Sequence, residues 1–447
     1  MQNNSRLYSL VDLFAGCGGL SLGFENAGFT PIFVNELNTD ALSTYLINRG
    51  HKLGGSKFNE LKNLHTKNAE DLNKKRLNEL KNDLSDINEL NFHINKSDKN
   101  SSIDVLAGGP PCQGYSGIGH RRSYLVNKQD LPSNHLFVVM SQIIKNLRPR
   151  IFLFENVRGL LNSKWIRDGN EKIWPDVLQA FQNIPGYLVK WDLVFAKDYG
   201  VPQNRPRVLL VGVREDLANS SSIIDNKSLN ESAVECGFLP KPNGHQPPDL
   251  VDLLGDLIDN SIIKNLKSAD YPKDNFETTE YPHKPLTDIQ KKMRKIPKFL
   301  DIKKLVLTDH LYSKHKKSVI EKFELMLSNN GIIPPHLKTK KFSQRVLKSR
   351  WGNSKPNITA TSLPDDYVHF SQPRTLTVRE WARLQMFPDW YQFCGKRTTG
   401  GIRRAGNPLE GIFDRELPKY TQIGNAVPVS LAEAVAKHFK IILDEAF

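Results

Sequence analysis

Cysteines are scarce and widely spaced in this sequence. Its 447 residues include four of them, Cys17, Cys112, Cys236 and Cys394, and no two stand in a Cys-x-x-Cys pair. So scattered a set does not build the disulfide framework of a small secreted protein, and its spacing is not that of a zinc site. We therefore expect a reducing compartment and no metal.

Long apolar runs are also missing. No window approaches the roughly 20 apolar residues that a membrane-spanning helix needs. The first residues, Met-Gln-Asn-Asn-Ser-Arg, lead into an apolar strand without the apolar core of a secretory signal. With 39% hydrophobic and 25% charged residues, the composition is typical of a soluble globular protein, and we expect it in the cytoplasm.

Acidic residues are outnumbered in one part of the chain. Residues 291–355 hold 18 Lys and Arg against 4 Asp and Glu, an excess that equals the formal net charge of +14. The rest of the chain is therefore neutral as a whole. A basic block within a neutral protein is typical of a surface that binds a polyanion such as nucleic acid. The alternative is a lysine-rich face that is merely solvated, and charge alone leaves both open.

Short apolar segments alternate with helical patterns over the first half of the chain. Strands are predicted at residues 8–14, 30–34, 103–107, 151–154, 187–195 and 208–213, and helices at 20–27, 39–49, 136–147 and 177–184. This alternation indicates right-handed crossovers between parallel strands. We therefore predict an α/β fold with a doubly wound, mostly parallel sheet.

The alternation stops near residue 214. Prolines, polar turns and the basic block fill residues 215–350, and an amphipathic pattern returns near the end of the chain, at 430–443. We predict a first domain over 1–214, an inserted smaller domain over 215–350, a junction and hinge over 351–414, and a C-terminal segment over 415–447 that returns to the first domain. Residues 51–101 are predicted to form a partly helical surface insertion.

A glycine-rich loop follows the first predicted strand, and Glu36 and Leu37 follow the second. Residues 14–20 read Phe-Ala-Gly-Cys-Gly-Gly-Leu. Backbone N–H groups in such a loop can approach a ligand closely, and an acidic residue after the next strand can accept hydrogen bonds from ribose hydroxyls. The loop lacks the third glycine of the dinucleotide fingerprint. It therefore predicts a site for a nucleoside-containing cofactor without a pyrophosphate.

A second group of residues brings together a thiol, a carboxylate and guanidinium groups. Cys112 lies on a stiff Gly-Gly-Pro-Pro loop after a predicted buried strand, and Glu155 ends another strand. Both should face one cleft, because open α/β sheets bind ligands at the carboxyl ends of their strands. A thiolate there is a nucleophile, and a carboxyl group is a general acid. The alternative is a buried Cys112 and a helix-capping Glu155, but the flanking prolines argue against burial.

Six motifs, in this order along the chain, resemble those of the DNA (cytosine-5)-methyltransferase family. They are Asp-Leu-Phe-Ala-Gly-Cys-Gly-Gly from residue 12, Gly-Pro-Pro-Cys-Gln from 109, Glu-Asn-Val from 155, Gln-x-Arg-x-Arg from 203, Arg-x-Leu-Thr-x-Arg-Glu from 374 with Arg-Leu-Gln-x-Phe-Pro-Asp from 383, and Gln-Ile-Gly-Asn-Ala-Val-Pro from 422. The resemblance implies a class I S-adenosylmethionine-dependent methyltransferase fold. It makes 1–214 the catalytic, cofactor-binding domain and 215–350 the target-recognition domain.

The resemblance also implies a reaction. Cys112 attacks C6 of a cytosine flipped out of DNA while Glu155 protonates N3, and C5 then takes the methyl group of S-adenosylmethionine. Arg205 and Arg207 are implied to hold the base and its phosphate. The implied cofactor site consists of Phe14, Ala15, Gly16, Cys17, Gly18, Gly19, Leu20, Glu36, Leu37, Asp71, Pro110, Leu136, Asn425 and Val427. Expected DNA contacts are Gln113, Ser116, Arg121, Arg122 and Gln203.

Two other functions are weighed against this one. The related family branch that methylates tRNA carries a Cys-Phe-Thr signature, whereas Gly-Lys follows Cys394 here, and the long insert favours DNA. A non-catalytic DNA-binding regulator should have lost its nucleophile or acid, yet Cys112 and Glu155 are both present. We expect a monomer in the bacterial cytoplasm that modifies double-stranded DNA, without metal or membrane, and protects it from a restriction endonuclease acting on the same site.

Overall fold

The computed structural model of the protein describes residues 8–49, 65–66, 68–91, 103–111, 127–166, 169–261, 278–300, 302–337, 344–360, 364–399, 403 and 416–445. Its central sheet contains β1 (Tyr8–Leu13), β2 (Phe29–Asn35), β3 (His65–Thr66), β4 (Val105–Gly108), β5 (Ile151–Val157), β6 (Tyr187–Phe195) and β7 (Pro206–Arg214). The strand order is β3-β2-β1-β4-β5-β7-β6. The first five strands of this order are parallel, and β7 runs antiparallel to both of its neighbours. The predicted doubly wound, mostly parallel sheet is confirmed.

Helices cover the sheet and fill the C-terminal half of the chain. They are α1 (Gly19–Asn26), α2 (Thr39–Ile47), α3 (Lys74–Asn91), α4 (Leu136–Leu147), α5 (Ile173–Gln182), α6 (Glu215–Ser220), α7 (Leu250–Leu254), α8 (Asp288–Met293), α9 (Lys317–Ser328), α10 (Val378–Leu384), α11 (Lys419–Asn425) and α12 (Val429–Glu445). Two short strands, β8 (Arg345–Val346) and β9 (Tyr367–Val368), pair in parallel. None of the helices in the described ranges is long and apolar enough to cross a membrane.

The side chains of each strand alternate between two hydrophobic cores, one on each face of the sheet. Leu10 and Val211 belong to the first core, and their neighbours Val11 and Leu210 belong to the second. Helices α1 and α12 complete the first core, whereas α3, α4 and α5 complete the second. Because both faces are buried, the strands are nearly continuous apolar runs, which is why the sequence revealed them.

The region predicted as a surface insertion takes part in the sheet. Strand β3 lies at the edge of the sheet, next to β2. Helix α3 buries Leu77, Leu80 and Leu84 in the core of the second face. These leucines are spaced by three and four residues, which is the spacing of one helix face. Surrounding lysines and asparagines obscured this stripe. The insertion predicted over 51–101 is partly helical, as expected, but its described helix packs in the core, so its prediction as a surface segment was wrong there.

The predicted domain boundary at residue 214 does not coincide with a break in the core. Phe238 and Leu254, both beyond that boundary, are buried in the core of the first face together with α1 and α12. A smaller, separate cluster is built around Phe323, Met326 and Val368. The part of 215–350 nearest the sheet therefore packs with the first domain, and only a later portion has a small core of its own.

Buried ion pairs surround α10 and tie distant segments together. Arg383 pairs with Asp256, from the inserted region, and with Asp389, just after α10. Arg374 donates to both carboxylate oxygens of Glu380, at 2.8 and 2.7 Å. Removing one member of a buried pair leaves the other charge uncompensated, which typically costs about 3–5 kcal/mol. Helix α10 is thus the structural junction between the inserted region and the rest of the molecule.

Candidate active site

The ends of five strands lie together on the side of the sheet where its parallel strands end, which is called the carboxyl edge below. Strands β1, β2, β4 and β5 are parallel, so their carboxyl ends lie together. Strand β7 runs the opposite way, and the pairing of Val157 with Arg207 brings its first residues to the same edge. The glycine loop after β1, the Gly-Pro-Pro turn after β4 and the acidic end of β5 therefore lie side by side, where open α/β sheets bind ligands.

The glycine loop after β1 is held in a left-handed turn. Phe14 and Gly16 both have φ of 55°, and Gly18 has φ of 82°. The Ala15 N–H donates to the Asn35 carbonyl at 2.9 Å, which fixes the loop to the end of β2. At Gly16, no heavy atom lies within 4 Å of the place where a Cβ would stand. One side of the loop therefore faces open space, with its backbone accessible.

Glu36 closes this space from the end of β2. Its side chain is buried, and its two carboxylate oxygens accept from the N–H groups of Gly16 and Asn38, at 2.8 and 2.7 Å. Burial raises the pKa of Glu36, and the two backbone donors oppose that rise. Each carboxylate oxygen has a second lone pair, so the group can also accept from a ligand hydroxyl. The carboxylate is thus fixed beside the open side of the loop.

These residues fit a nucleoside. Glu36 offers oxygens suited to ribose hydroxyls, and Gly16 leaves room for the ligand against the backbone. The side chain of Leu37 is 68% exposed, which leaves an apolar surface free for a base. Phe14 is half-buried at the start of the loop. In the described ranges, no group of three or more His, Cys, Asp or Glu side chains could hold a metal ion.

The acidic end of β5 forms a buried ion pair with the start of β7. The Arg207 Nε and a Glu155 carboxylate oxygen are in direct contact, and both side chains are buried. The other Glu155 oxygen lies so close to Gly109 that a Cβ there would approach it to 2.6 Å. The Asn156 side-chain amide donates to the Pro110 carbonyl at 3.2 Å, so β5 also holds the Gly-Pro-Pro turn. The turn that precedes Cys112 in the sequence is therefore held beside a fixed carboxylate.

The sequence matches the family of C-5 cytosine-specific DNA methylases over residues 8–440. The chain belongs to this family. It is 28% identical to the type II methyltransferase M.DdeI of Desulfomicrobium norvegicum, covering 96% of this chain and 88% of that protein. It is 26% identical to M.AgeI of Thalassovita gelatinovora, covering 97% and 99%. The recognised family is confirmed, and this member is a DNA (cytosine-5)-methyltransferase.

A solved structure supports the fold of this methyltransferase. A prophage-encoded protein from E. coli, described as a DNA modification methyltransferase, matches with a TM-score of 0.63 and 23% identity. The match covers 98% of this chain and 99% of that one. The predicted class I S-adenosylmethionine-dependent methyltransferase fold is therefore confirmed.

Two residues of the Gln-x-Arg-x-Arg motif have internal partners. Gln203 donates to the Leu384 carbonyl at 2.8 Å and accepts from the Ala360 N–H at 2.8 Å. Arg205 donates to the carbonyls of Ala360 and Gly424, at 2.9 and 2.6 Å. Both side chains are buried. Gln203 thus ties segments inside the methyltransferase together and does not present its amide to DNA, a correction to its predicted role. Burial follows from packing between segments about 180 residues apart.

One other predicted cofactor residue, Val427, lies against the glycine loop, since a Cβ on Gly19 would stand 2.5 Å from the Val427 carbonyl oxygen. Asn425 is exposed at the end of α11, and Leu136 is half-buried at the start of α4. Asp71 is exposed on a short 3-10 turn. Ala15, Leu20 and Pro110 belong to the loop, the start of α1 and the turn after β4.

The Cys17 thiol points away from the open side of the loop. It is buried and donates to the Gln422 carbonyl at 3.4 Å. Burial raises the pKa of this thiol to about 12, so Cys17 stays protonated. Its contribution to the loop comes from its backbone. Five further predicted residues lie outside the described ranges, namely Cys112, Gln113, Ser116, Arg121 and Arg122.

Sequence reasoning missed two residues that hold the glycine loop from behind, Arg49 and Tyr391. Arg49 follows α2 and ends the helix predicted over 39–49, with no partner assigned to it. Tyr391 stands two residues after the Phe-Pro-Asp motif, whose partners were unknown. Both side chains are buried and reach the carbonyls of Cys17 and Gly18. A tyrosine two residues after a recognised motif was the available signal.

Proposed function

We propose that this methyltransferase transfers a methyl group from S-adenosylmethionine to C5 of a cytosine within one specific duplex DNA sequence, through a covalent bond between Cys112 and C6. The observation that carries the proposal is the contact of Glu155 with Arg207 and Gly109. It fixes the Glu155 carboxyl group against Gly109, which stands three residues before Cys112 in the sequence. A nucleophile and an acid would then act on one flipped base, the thiolate at C6 and the acid at N3.

Cytosine C5 is a poor nucleophile until a group adds across the C5–C6 bond. The Cys112 thiolate forms a bond to C6, and Glu155 in its protonated form donates a proton to N3. The electron pair of the C5–C6 double bond then becomes available at C5. The contact of Arg207 Nε with a Glu155 oxygen orients the Glu155 carboxyl group, and the Asn156 amide holds the turn through the Pro110 carbonyl. Arg205 contributes by fixing the start of β7 from within.

S-adenosylmethionine, when bound, supplies the methyl group that C5 takes up. Water, acting as a base, then takes the C5 proton, which restores the C5–C6 double bond and expels the Cys112 thiolate, and N3 returns its proton to Glu155. The residues that would hold this cofactor are those around the open side of the loop, with Glu36 toward the ribose and Leu37 toward the base. The Gly16 backbone would lie against the ligand, because no side chain occupies the space in front of it.

The basic block supplies the grip on DNA. In residues 291–355, Lys303, Lys304, Lys314, Lys316 and Lys317 are all exposed. Lysines so placed neutralise backbone phosphates and orient the duplex without reading its bases. The similar proteins M.DdeI and M.AgeI are named type II methyltransferases, and we propose that this one likewise protects host DNA from a restriction endonuclease with the same target.

Bisulfite sequencing tests the proposal directly. The purified protein is incubated with S-adenosylmethionine and a plasmid of mixed sequence, and every protected cytosine is mapped. We expect methylation confined to one short motif, and none with Cys112→Ser. Protection of tRNA with no protection of duplex DNA would instead support the RNA-modifying alternative and overturn the proposed substrate.

A further inference from the structure

The glycine loop is braced on the side opposite its open face. The Tyr391 hydroxyl donates to the Cys17 carbonyl at 2.6 Å. The Arg49 guanidinium donates to the Gly18 carbonyl at 3.0 Å and to the Tyr391 hydroxyl at 2.8 Å. Arg49 and Tyr391 together are called the loop clamp below. The clamp contacts two successive peptide groups of the loop from positions 342 residues apart.

Each member of the clamp is itself held in place. Arg49 forms an ion pair with Glu25 at 2.8 Å and lies over the Tyr45 ring at 4.0 Å. Tyr391 accepts from the Arg379 side chain at 2.8 Å through its carbonyl. Because Arg379 belongs to α10, the clamp connects the loop to the helix that also binds the inserted region. The ion pair with Glu25 and the hydrogen bond from Arg379 therefore hold the two members of the clamp in place.

The clamp occupies the space that a side chain at Gly18 would need. A Cβ at Gly18 would stand 2.6 Å from Arg49 Nη1 and 2.8 Å from the Tyr391 hydroxyl. At Gly16, two residues earlier, the same construction meets nothing within 4 Å. The loop is thus packed tightly on one side and open on the other. Contacts on the packed side fix the orientation of the Cys17 and Gly18 peptide groups.

We propose that Arg49 and Tyr391 are positioning residues for S-adenosylmethionine, which they never touch. They hold the Cys17 and Gly18 peptides so that the loop is already shaped for the cofactor before it binds. Preorganisation of this kind increases affinity because binding no longer has to order the loop. The inference rests on the proposed function, since it assumes that the open side of the loop takes this cofactor.

The test measures the dissociation constant of S-adenosylhomocysteine by calorimetry, together with KM for S-adenosylmethionine and for DNA. Tyr391→Phe removes one hydroxyl and leaves the buried Cys17 carbonyl without its donor. We expect the dissociation constant and KM for the cofactor to rise about tenfold, as for one lost buried hydrogen bond. The KM for DNA and kcat at saturating cofactor should stay within about twofold, because among the described residues neither member of the clamp bonds to Glu155 or Arg207.

Tyr187→Phe is the matched control. Its hydroxyl is also buried and donates to a backbone carbonyl, that of Pro149, at the opposite edge of the sheet. It should lower the melting temperature about as much as Tyr391→Phe and leave cofactor affinity unchanged. If Tyr391→Phe does not fold, Arg49→Lys serves instead, because it keeps the charge beside Glu25 but loses the planar fork.

Equal cofactor affinity in the wild type and in a folded clamp variant would overturn the proposal, since the clamp would then be merely structural. A wild-type protein that does not bind S-adenosylhomocysteine at all would instead contradict the proposed function. Calorimetry on the wild type therefore comes first and separates the two failures.

Discussion

At the residue scale, the carboxyl edge depends on how closely a carboxylate and a backbone approach each other. Glu155 lies against Gly109, where even a methyl group would collide with it. Its ion pair with Arg207 is buried, so neither partner can be removed without stranding the other charge. The same contact stabilises the fold and, in the proposed mechanism, holds the acid, and experiment has to separate the two.

Glu155→Gln should separate them. The amide keeps the shape of the side chain but cannot deliver a proton to N3, and general acid catalysis typically contributes 10²- to 10⁴-fold. We expect kcat to fall by about 10³-fold, with duplex binding within a few fold of wild type. The control is Asp104→Asn, which disrupts another buried ion pair, with Arg150, at the opposite edge of the sheet. A kcat loss of similar size in both variants would mean that Glu155 acts through stability alone.

A second prediction at the residue scale concerns the open side of the glycine loop. Gly16→Ala places a methyl group in the open space and adds about 1–2 kcal/mol of left-handed strain. We expect it to weaken S-adenosylhomocysteine binding at least tenfold. Gly352→Ala is the control, since its φ of 58° and its open surroundings match those of Gly16 away from the loop. Wild-type cofactor affinity in Gly16→Ala would contradict the assignment of the open side.

At the scale of elements, three buried histidines with shifted pKa values lie around α10. His310 and His369 lie with His315 around the Arg374–Glu380 pair. Burial lowers the pKa of His310 and His315 to about 4 and that of His369 to about 3. Burial alone would raise the pKa of Glu380, but the charge and hydrogen bonds of Arg374 lower it more strongly. The pKa of Glu380 is therefore below its usual value, and the group stays ionised. The native protein keeps these three histidines neutral.

The sign of the resulting pH dependence follows from these shifts. An unfolded histidine takes up a proton below pH 6.5, whereas these buried ones do so only near pH 4 or lower. Unfolding therefore binds protons between these values, and the free energy of unfolding should fall as the pH drops from 6.5 to 4. The slope reaches up to about 1.4 kcal/mol per pH unit for each histidine. Urea denaturation at several pH values measures it.

His369→Gln should make that slope shallower, because one of the contributing groups is gone. The exposed His135 is the control, and His135→Gln should leave the slope unchanged. Stability that does not change between pH 6.5 and 4.5 would contradict the account of the buried cluster.

Prediction from the sequence succeeded for features that depend on a single strand or helix. It failed for contacts between segments that are far apart in the chain. Strands such as β5 were recognisable as buried apolar runs, and the carboxyl-end rule placed Glu155 correctly at the carboxyl edge. The burial of Gln203 depends on Leu384, and the clamp depends on Tyr391 meeting Cys17. No local periodicity encodes such contacts. Helix α3 is an intermediate case, because its leucine stripe was present but diluted by polar residues.

At the scale of the whole molecule, charge is segregated from chemistry. Glu36 and Glu155 come from a part of the chain that is neutral overall, whereas the basic block lies almost entirely within the inserted region. Each phosphate contact contributes about 0.9 to the slope of log affinity against log salt. This gives the basic block a measurable signature.

Replacing Lys314, Lys316 and Lys317 with glutamine should reduce that slope by about two to three, because up to three phosphate contacts are lost. The control replaces Lys74, Lys75 and Lys81. These lysines are also exposed, and they lie on α3, outside the basic block. The measurement is DNA binding by fluorescence anisotropy between low and moderate salt. Equal slopes in the two triple variants would remove the block from the DNA interface.

The covalent bond between Cys112 and cytosine is the central claim, and a 5-fluorocytosine duplex tests it most directly. Fluorine at C5 cannot leave as a proton does, so the enzyme should remain attached to its target after methyl transfer. We predict a complex that survives denaturing electrophoresis, requires S-adenosylmethionine, and gives a modified peptide containing Cys112 by mass spectrometry. Absence of the complex on a duplex that the enzyme methylates, or its persistence in Cys112→Ser, would contradict the account.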